Sequence, residues 1–187
     1  MKNTLYLLLL AGLLFGSGAT AQSDQKQIKE TLKSYFALLE KNEMIKSLDY
    51  LYPKFFEIVP RKQIEKSMNG VRNRGISFQS PLLTSLSDVI QVNQAKYALA
   101  AYTFKLLVKK KGKSKVALQD LASFFQQVYG NNNVSLDQAN QQLVIQTKGE
   151  MYVINDPAYQ GWKVLEKKKE EHKVLNKLLP KEVLEKL

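Results

Sequence analysis

The sequence predicts an α+β domain: N-terminal helices packed on an antiparallel sheet, with one inserted helix and a C-terminal helical tail. Three observations carry this. Apolar residues recur at helical spacing from Ile28 to Met68, the period falls to two from Ile76, and helical spacing returns after Lys167.

The elements follow in order. Ser23 and Asp24 suit a helix N-cap. Ile28, Leu32, Tyr35, Phe36 and Leu39 then form an apolar stripe opposite Lys26, Lys29, Glu30 and Lys33. Asn42 restarts the pattern for a shorter helix through Ile45, Leu48 and Leu51, which stops near Pro53. Pro60 fits the first position of a third helix, with Ile64 and Met68 four apart and Gly70 or Gly75 ending it.

Strands are expected over Ile76 to Val92 and Lys96 to Lys109, with a bend or sheet edge at Pro81. In the second, Tyr102, Phe104, Leu106 and Val108 share one face, and Thr103, Lys105 and Lys109 share the other. The lysine run Lys109 to Lys115 reads as a charged turn. Helical spacing from Val116 to Val128 makes the inserted helix, closed by Gly130 and three asparagines. The sheet then resumes as a meander: Val134 to Leu136, Gln142 to Thr147, a turn at Lys148-Gly149, Met151 to Asn155, and Trp162 to Glu166 after an Asp156 to Gly161 turn. The tail carries Val174, Leu175, Leu178, Leu179, Val183, Leu184 and Leu187, with a restart at Pro180.

Ahead of the domain, residues 1–21 read as a cleavable signal peptide. Lys2 is the positive start, Leu5 to Phe15 the apolar stretch, and Ala19-x-Ala21 the small-residue site, with cleavage between Ala21 and Gln22. The apolar stretch is shorter than the about 20 residues that span a bilayer. The chain contains no cysteine, so there is no lipid attachment point, disulfide or thiolate. The expectation is an exported, periplasmic or secreted bacterial protein with no stable membrane anchor after cleavage.

Subtracting 21 from 187 leaves 166 residues, one domain from Gln22 to Leu187 on the usual size relation. Losing Lys2 takes the formal charge from +11 to +10. A chain this basic attracts anionic partners, including an acidic envelope polymer, through clusters at Arg61 to Arg74, Lys105 to Lys115 and Lys163 to Lys177. Export and the interleaved glutamates argue against nucleic acid.

No catalytic, cofactor or metal signature is present. His172 is the only histidine and lies among Lys and Glu, which reads as a solvated surface position. Asp88, Asp120, Asp137 and Asp156 lack ligand-like spacing. Ser77, Ser80, Ser85 and Ser87 have no partner histidine or nucleophile elbow. Asn133-Val134-Ser135 matches a glycosylation acceptor but carries no weight in a chain with bacterial export features.

The helix leading into Leu51-Tyr52-Pro53-Lys54-Phe55-Phe56, the third short helix, and the strand Gly161-Trp162-Lys163-Val164-Leu165 after Asp156-Pro157 together resemble the nuclear-transport-factor-2-like, cystatin-type cone. Phe124 to Val134 and Leu178 to Leu184 resemble small uncharacterised exported members of that superfamily. The resemblance implies a curved sheet roofed by the first helices, with a pocket between them. The inserted helix departs from the simplest cone and leaves the strand order open. Because that fold hosts both enzymes and binders, it does not fix function.

Three functions compete, the third being a binder of anionic envelope polymer that acts through the lysine clusters named above. The first is a non-enzymatic module binding a small ligand or a protein partner, as a monomer or a homodimer through the open sheet face. Its pocket would be lined by Tyr35, Phe36, Tyr102, Phe104 and Trp162 and hold no convergent ionisable groups. The second is a proton-transfer or lyase-type enzyme pairing Tyr35 with a buried Asp49 or Asp88. The first is preferred, because Asp49 lies beside Lys46 and Asp88 in a serine-rich turn, positions that suit solvated carboxylates.

Overall fold

The computed structural model describes residues 16–109, 117–168 and 172–187, with only the backbone of residues 16–21. The apolar stretch expected to belong to a signal peptide and most of the Lys109 to Lys115 run expected to form a turn lie outside the described residues. Among those described, no helix is long and apolar enough to cross a membrane.

Helix α1 spans Gly16–Glu40 and is followed by α2 (Met44–Ser47), a 3-10 turn over Leu48–Tyr50, α3 (Phe55–Ile58) and α4 (Arg61–Asn73). The expected N-cap residues Ser23 and Asp24 are therefore inside a helix. Asp24 instead pairs with Lys96, Nζ to Oδ2 at 2.7 Å, which ties α1 to the sheet. Pro60 is the N-cap of α4 rather than its first residue. The helix runs through Gly70, and Gly75, at φ 78°, is where the backbone turns left-handed to leave it. Helix α3 was not visible in the apolar spacing because it is a single turn.

Six strands follow: β1 (Ile76–Leu86), β2 (Ile90–Val92), β3 (Ala95–Lys109), β4 (Val134–Asp137), β5 (Gln142–Asn155) and β6 (Lys163–Glu166), with α5 (Leu118–Tyr129) between β3 and β4. The tail forms α6 (His172–Leu178) and α7 (Lys181–Lys186). The sheet order is β1-β3-β5-β4, with β2 also on β3 and β6 also on β5, all antiparallel. The two long strands β3 and β5 pair without interruption from Lys96 opposite Asn155 to Lys109 opposite Gln142.

Two expectations change here. The stretch Ile76 to Val92 is two strands, and Lys148-Gly149 is not a turn but the middle of β5, opposite Thr103 and Tyr102. The expected bend at Pro81 is present: the β1–β3 register shifts between Gln79 and Leu82 and again between Leu83 and Ser85. Such irregularities bend a strand and raise its twist. Ser80 sits in the first of them at φ 50°, and its N–H donates to Glu40 Oε1 at 2.9 Å. The end of α1 thus holds the bend.

Alternation along β3 directs Ala98, Ala100, Tyr102, Phe104, Leu106 and Val108 to one face. The alanines let α1 lie close, with Ile28, Leu32, Tyr35 and Phe36 buried against them and against Met151, Val153 and Val164. At the other end of the same face, Val108, Leu143 and Ile145 are covered by α5 through Leu118, Leu121, Ala122 and Phe125. Tyr97, Tyr152, Ile154 and Leu165 point to the opposite face, where Leu175, Leu178, Leu179 and Val183 of the tail close over them. Each fully buried aliphatic side chain stabilises the fold by about 1.5–3 kcal/mol. On one face, α1 and α5 leave the middle of β3, at Tyr102 and Phe104, between them.

Candidate functional site

A cavity of about 280 Å³ occupies that gap. The sheet contributes Phe78, Tyr102 and Phe104, α1 contributes Tyr35, Phe36 and Leu39, and Met44 of α2 with Met68 and Val71 of α4 form the outer wall. Ridge spacing explains the last pair: Met68 and Val71 are three apart on one side of an otherwise polar helix. The rings make a continuous wall, with Phe36 5.3 Å from Tyr102, Tyr102 stacked on Phe104 at 5.5 Å, and Phe104 5.6 Å from Phe78, centroid to centroid.

Among the described residues, Tyr35, Tyr102, Glu166 and Lys168 supply the polar groups of the lining. Tyr102 Oη donates to Glu166 Oε1 at 2.7 Å, and both residues line the cavity, as does Lys168 at the exposed rim. Burial pushes the Tyr35 hydroxyl well above the ordinary phenol range, with the nearby Glu166 charge adding to it. The Tyr102 hydroxyl is pushed up by burial too, then by the charge and hydrogen bond of Glu166. Both phenols therefore stay protonated across ordinary pH.

Gly149 makes this arrangement possible. It faces Tyr102 across the β3–β5 pair, and a Cβ built on it would lie 2.6 Å from the phenol oxygen. The ring occupies the volume a side chain would need. Strand β6 then brings Glu166 beside the hydroxyl, in register with Met151 of β5.

The structure brings four of the five expected pocket residues, Tyr35, Phe36, Tyr102 and Phe104, into one wall. Trp162 is the correction: it is not among the lining residues and packs in the core with Ile28 and Val164, only 4 % exposed. The expectation of a pocket without convergent ionisable groups is also overturned, because Glu166 lines the cavity with Tyr35 and Tyr102 and accepts from the Tyr102 hydroxyl. Sequence reasoning passed over Glu166 because it ends a four-residue strand, where a carboxylate reads as solvated. Its alternation with Val164 was the available signal.

The two aspartates proposed as pocket acids lie elsewhere. Asp49 is 68 % exposed and pairs with Arg61 at 2.8 Å, and Asp88 is exposed in the β1–β2 loop. His172 is exposed at the start of α6. Gln22 is exposed on α1 next to Ala21, of which only the helical backbone is described. No group of three or more His, Asp or Glu among the described residues is placed to hold a metal ion.

The basic clusters are partly spent on internal contacts. Arg61 bonds Asp49 and Glu65, Lys163 donates to the Asp49 carbonyl at 2.9 Å, and Lys167 donates to the Leu187 carbonyl at 2.7 Å. Lys105, Lys109 and Lys148 are exposed, and the register places them on the face of the sheet away from α1.

A second polar cluster is structural. Asp156 accepts from Tyr52 Oη at 2.7 Å, from Lys54 Nζ at 3.3 Å and from the Ala158 N–H at 3.0 Å. It joins the segment after the 3-10 turn to the β5–β6 turn.

No family model and no curated protein matches the chain. Among solved structures it is similar to a protein of the NTF2-like family from Streptomyces avermitilis, described as a candidate dehydratase. The identity is 13 % and the TM-score 0.43, over 77 % of this chain and 93 % of that one. The α+β class itself stands on the element order and strand pairing described above.

Proposed function

We propose that this chain is an exported, non-enzymatic binding protein that holds a small, mainly apolar ligand in the cavity between α1, α4 and the centre of β3. One observation carries the reading: a continuous aromatic and aliphatic wall around a space of about 280 Å³, into which, among the described residues, only Tyr35, Tyr102, Glu166 and Lys168 bring polar groups. That volume is near the lower end of the roughly 300–1,000 Å³ of ligand pockets, and the lining has their usual character, apolar with a few placed polar tips.

The chemistry favours binding over proton transfer. A general acid or base works best with a pKa near the operating pH. Burial and the Glu166 charge push both phenols the other way. Glu166 already accepts the Tyr102 proton donor, which suits an orienting role. Export through the leader and release at Ala21–Gln22 complete the proposal.

The test is ligand-observed NMR with p-xylene and related small aromatics on the full chain, compared with Val71→Trp, which fills the outer wall from a partly exposed position. The reading expects saturable binding that Val71→Trp weakens by about tenfold or more, the factor given by roughly 1.4 kcal/mol of lost contact. Saturable binding that Val71→Trp leaves unchanged, or no binding at all, would sink it.

A further inference from the structure

The aromatic cavity has a neighbour on the same face of the sheet. A second cavity, of about 550 Å³, lies between the C-terminal end of α5 and the centre of the sheet, where Val128, Tyr129, Phe104 and Thr147 line it together with Ser80 and Asn133. Phe104 lines both cavities, and consecutive residues of the β1 bend line one each, Pro81 the first and Ser80 the second. Thr147 stands opposite Phe104 just as Gly149 stands opposite Tyr102, so alternation puts the Thr147 side chain on the face that carries both rings. Lys105 and Lys148 also border the second cavity, but the same alternation turns their side chains to the other face. The helix side of this space is apolar and open, with Val128 60 % exposed.

From this we infer that the ligand site continues past Phe104 to the end of α5, and that its ligand is one elongated, mainly apolar molecule, an alkyl chain or two joined rings, rather than a single ring. The inference rests on the aromatic cavity being a ligand site, as proposed above, and adds the length of what it holds. Volume favours the longer site. About 280 Å³ alone falls just short of the roughly 300–1,000 Å³ of ligand pockets, whereas the same space with about 550 Å³ beside it lies well inside that range. The lining agrees. Phe104 and Val128 carry the apolar surface onward, and the Ser80 and Thr147 hydroxyls with the Asn133 amide are the few polar tips such pockets have. A ligand lying there also takes the Val128 side chain out of water, a gain that a single ring held beside Tyr35 and Phe36 forgoes.

A short and a long ligand test this on the full chain: p-xylene and 1-decanol, each titrated by ligand-observed NMR against the wild type, Thr147→Trp, Val128→Asp and Val71→Trp, with circular dichroism showing that each variant is folded. Each methylene taken out of water is worth about a factor of four in binding, so a chain denied two of them loses at least about tenfold. Thr147→Trp fills the second cavity and should weaken 1-decanol at least about tenfold more than p-xylene. Val128→Asp, at an exposed position that tolerates polarity, should act in the same direction by at least about fourfold. Val71→Trp, in the wall of the first cavity, should weaken both ligands, because one chain occupies both spaces. The inference is overturned if Thr147→Trp and Val128→Asp weaken the two ligands alike, or if Val71→Trp leaves 1-decanol unchanged, which would put the chain in the second cavity alone. It is equally overturned if p-xylene binds and 1-decanol does not, although the aromatic ligand site then stands. If p-xylene does not bind, that site fails, and its extension fails with it.

Discussion

The Tyr102 ring lies over Gly149 of the neighbouring strand, so close that a methyl group on Gly149 would stand 2.6 Å from the phenol oxygen and 2.7 Å from the ring carbon that bears it. Atoms do not approach so closely without displacement. The contact also sets the polar end of the cavity, because the same hydroxyl reaches Glu166.

Gly149→Ala should therefore destabilise the protein. In an ordinary strand the change would gain about 0.5–1 kcal/mol by restricting the unfolded chain. Here the overpacking cost of about 1–3 kcal/mol wins, because Tyr102 is also hemmed in by Phe36 and Phe104 and has little room to retreat. Urea denaturation should show a lower midpoint. Combined with Tyr102→Leu, which vacates the space, the loss should be less than the sum of the two single changes, and full additivity would refute the contact.

Alkaline pH should unfold the protein through its tyrosines. Tyr35, Tyr52, Tyr97, Tyr102 and Tyr152 are each held above the ordinary phenol value, burial being the first cause in every case. A raised folded-state value means the stability is fully present below the unfolded value of about 10 and is lost as pH rises toward the folded values. Tyrosinate absorbance from these five should appear in one late step, together with the loss of far-ultraviolet circular dichroism. A gradual rise with the circular dichroism unchanged would contradict it.

Much of the architecture was legible because single faces are buried. Alternation from Tyr102 to Val108 and helical spacing from Ile28 to Leu39 follow from one side meeting the core, and both periods survive in the structure. What misled was glycine and the chain ends. Gly149 beside Lys148 reads as a turn, and only the facing Tyr102, 47 residues earlier in the sequence, shows why glycine stands in a straight strand. Ser23 and Asp24 have cap chemistry, yet the backbone is already helical before them, and Asp24 is used by Lys96 instead. Tyr35, Phe36, Tyr102 and Phe104 of the wall were among the expected pocket residues, but Phe78 and the carboxylate were not. Glu166 becomes part of the site only through strand pairing between β5 and β6, which local sequence does not encode.

Glu40→Ala should loosen the bend in β1 specifically. The carboxylate holds the Ser80 N–H at 2.9 Å where the register slips and Ser80 adopts φ 50°, a conformation that costs a non-glycine residue free energy. The bond is exposed, so the global cost should be small, about 0.5–1.5 kcal/mol. Amide exchange at Ser80 should accelerate clearly more than at Leu99 or Tyr152 in the paired centre of the sheet. Uniform acceleration at all three would mean that the contact does not act locally.

Acid should weaken the protein through Asp156. Burial acts to raise the pKa of this carboxyl, but the Ala158 N–H, the Tyr52 hydroxyl and Lys54 together outweigh it and hold it below the ordinary carboxylate value. A lowered folded-state value contributes stability above the unfolded value of about 3.9, and that contribution is lost as pH falls through the folded value. Asp156→Asn keeps the shape and removes the charge. At pH 7 it should cost about 2 kcal/mol, the scale of a hydrogen bond to a charged group on a side chain that is only 13 % exposed. The cost should shrink as pH is lowered toward about 2, where the wild-type carboxyl is also neutral. Thermal unfolding of both proteins across that interval gives the answer: melting temperatures that converge on acidification support the assignment, and a gap that stays constant down to the lowest pH refutes it. Tyr52→Phe should reproduce part of the loss, because the same carboxylate oxygen accepts from Tyr52 and Lys54 and the ammonium remains to hold it.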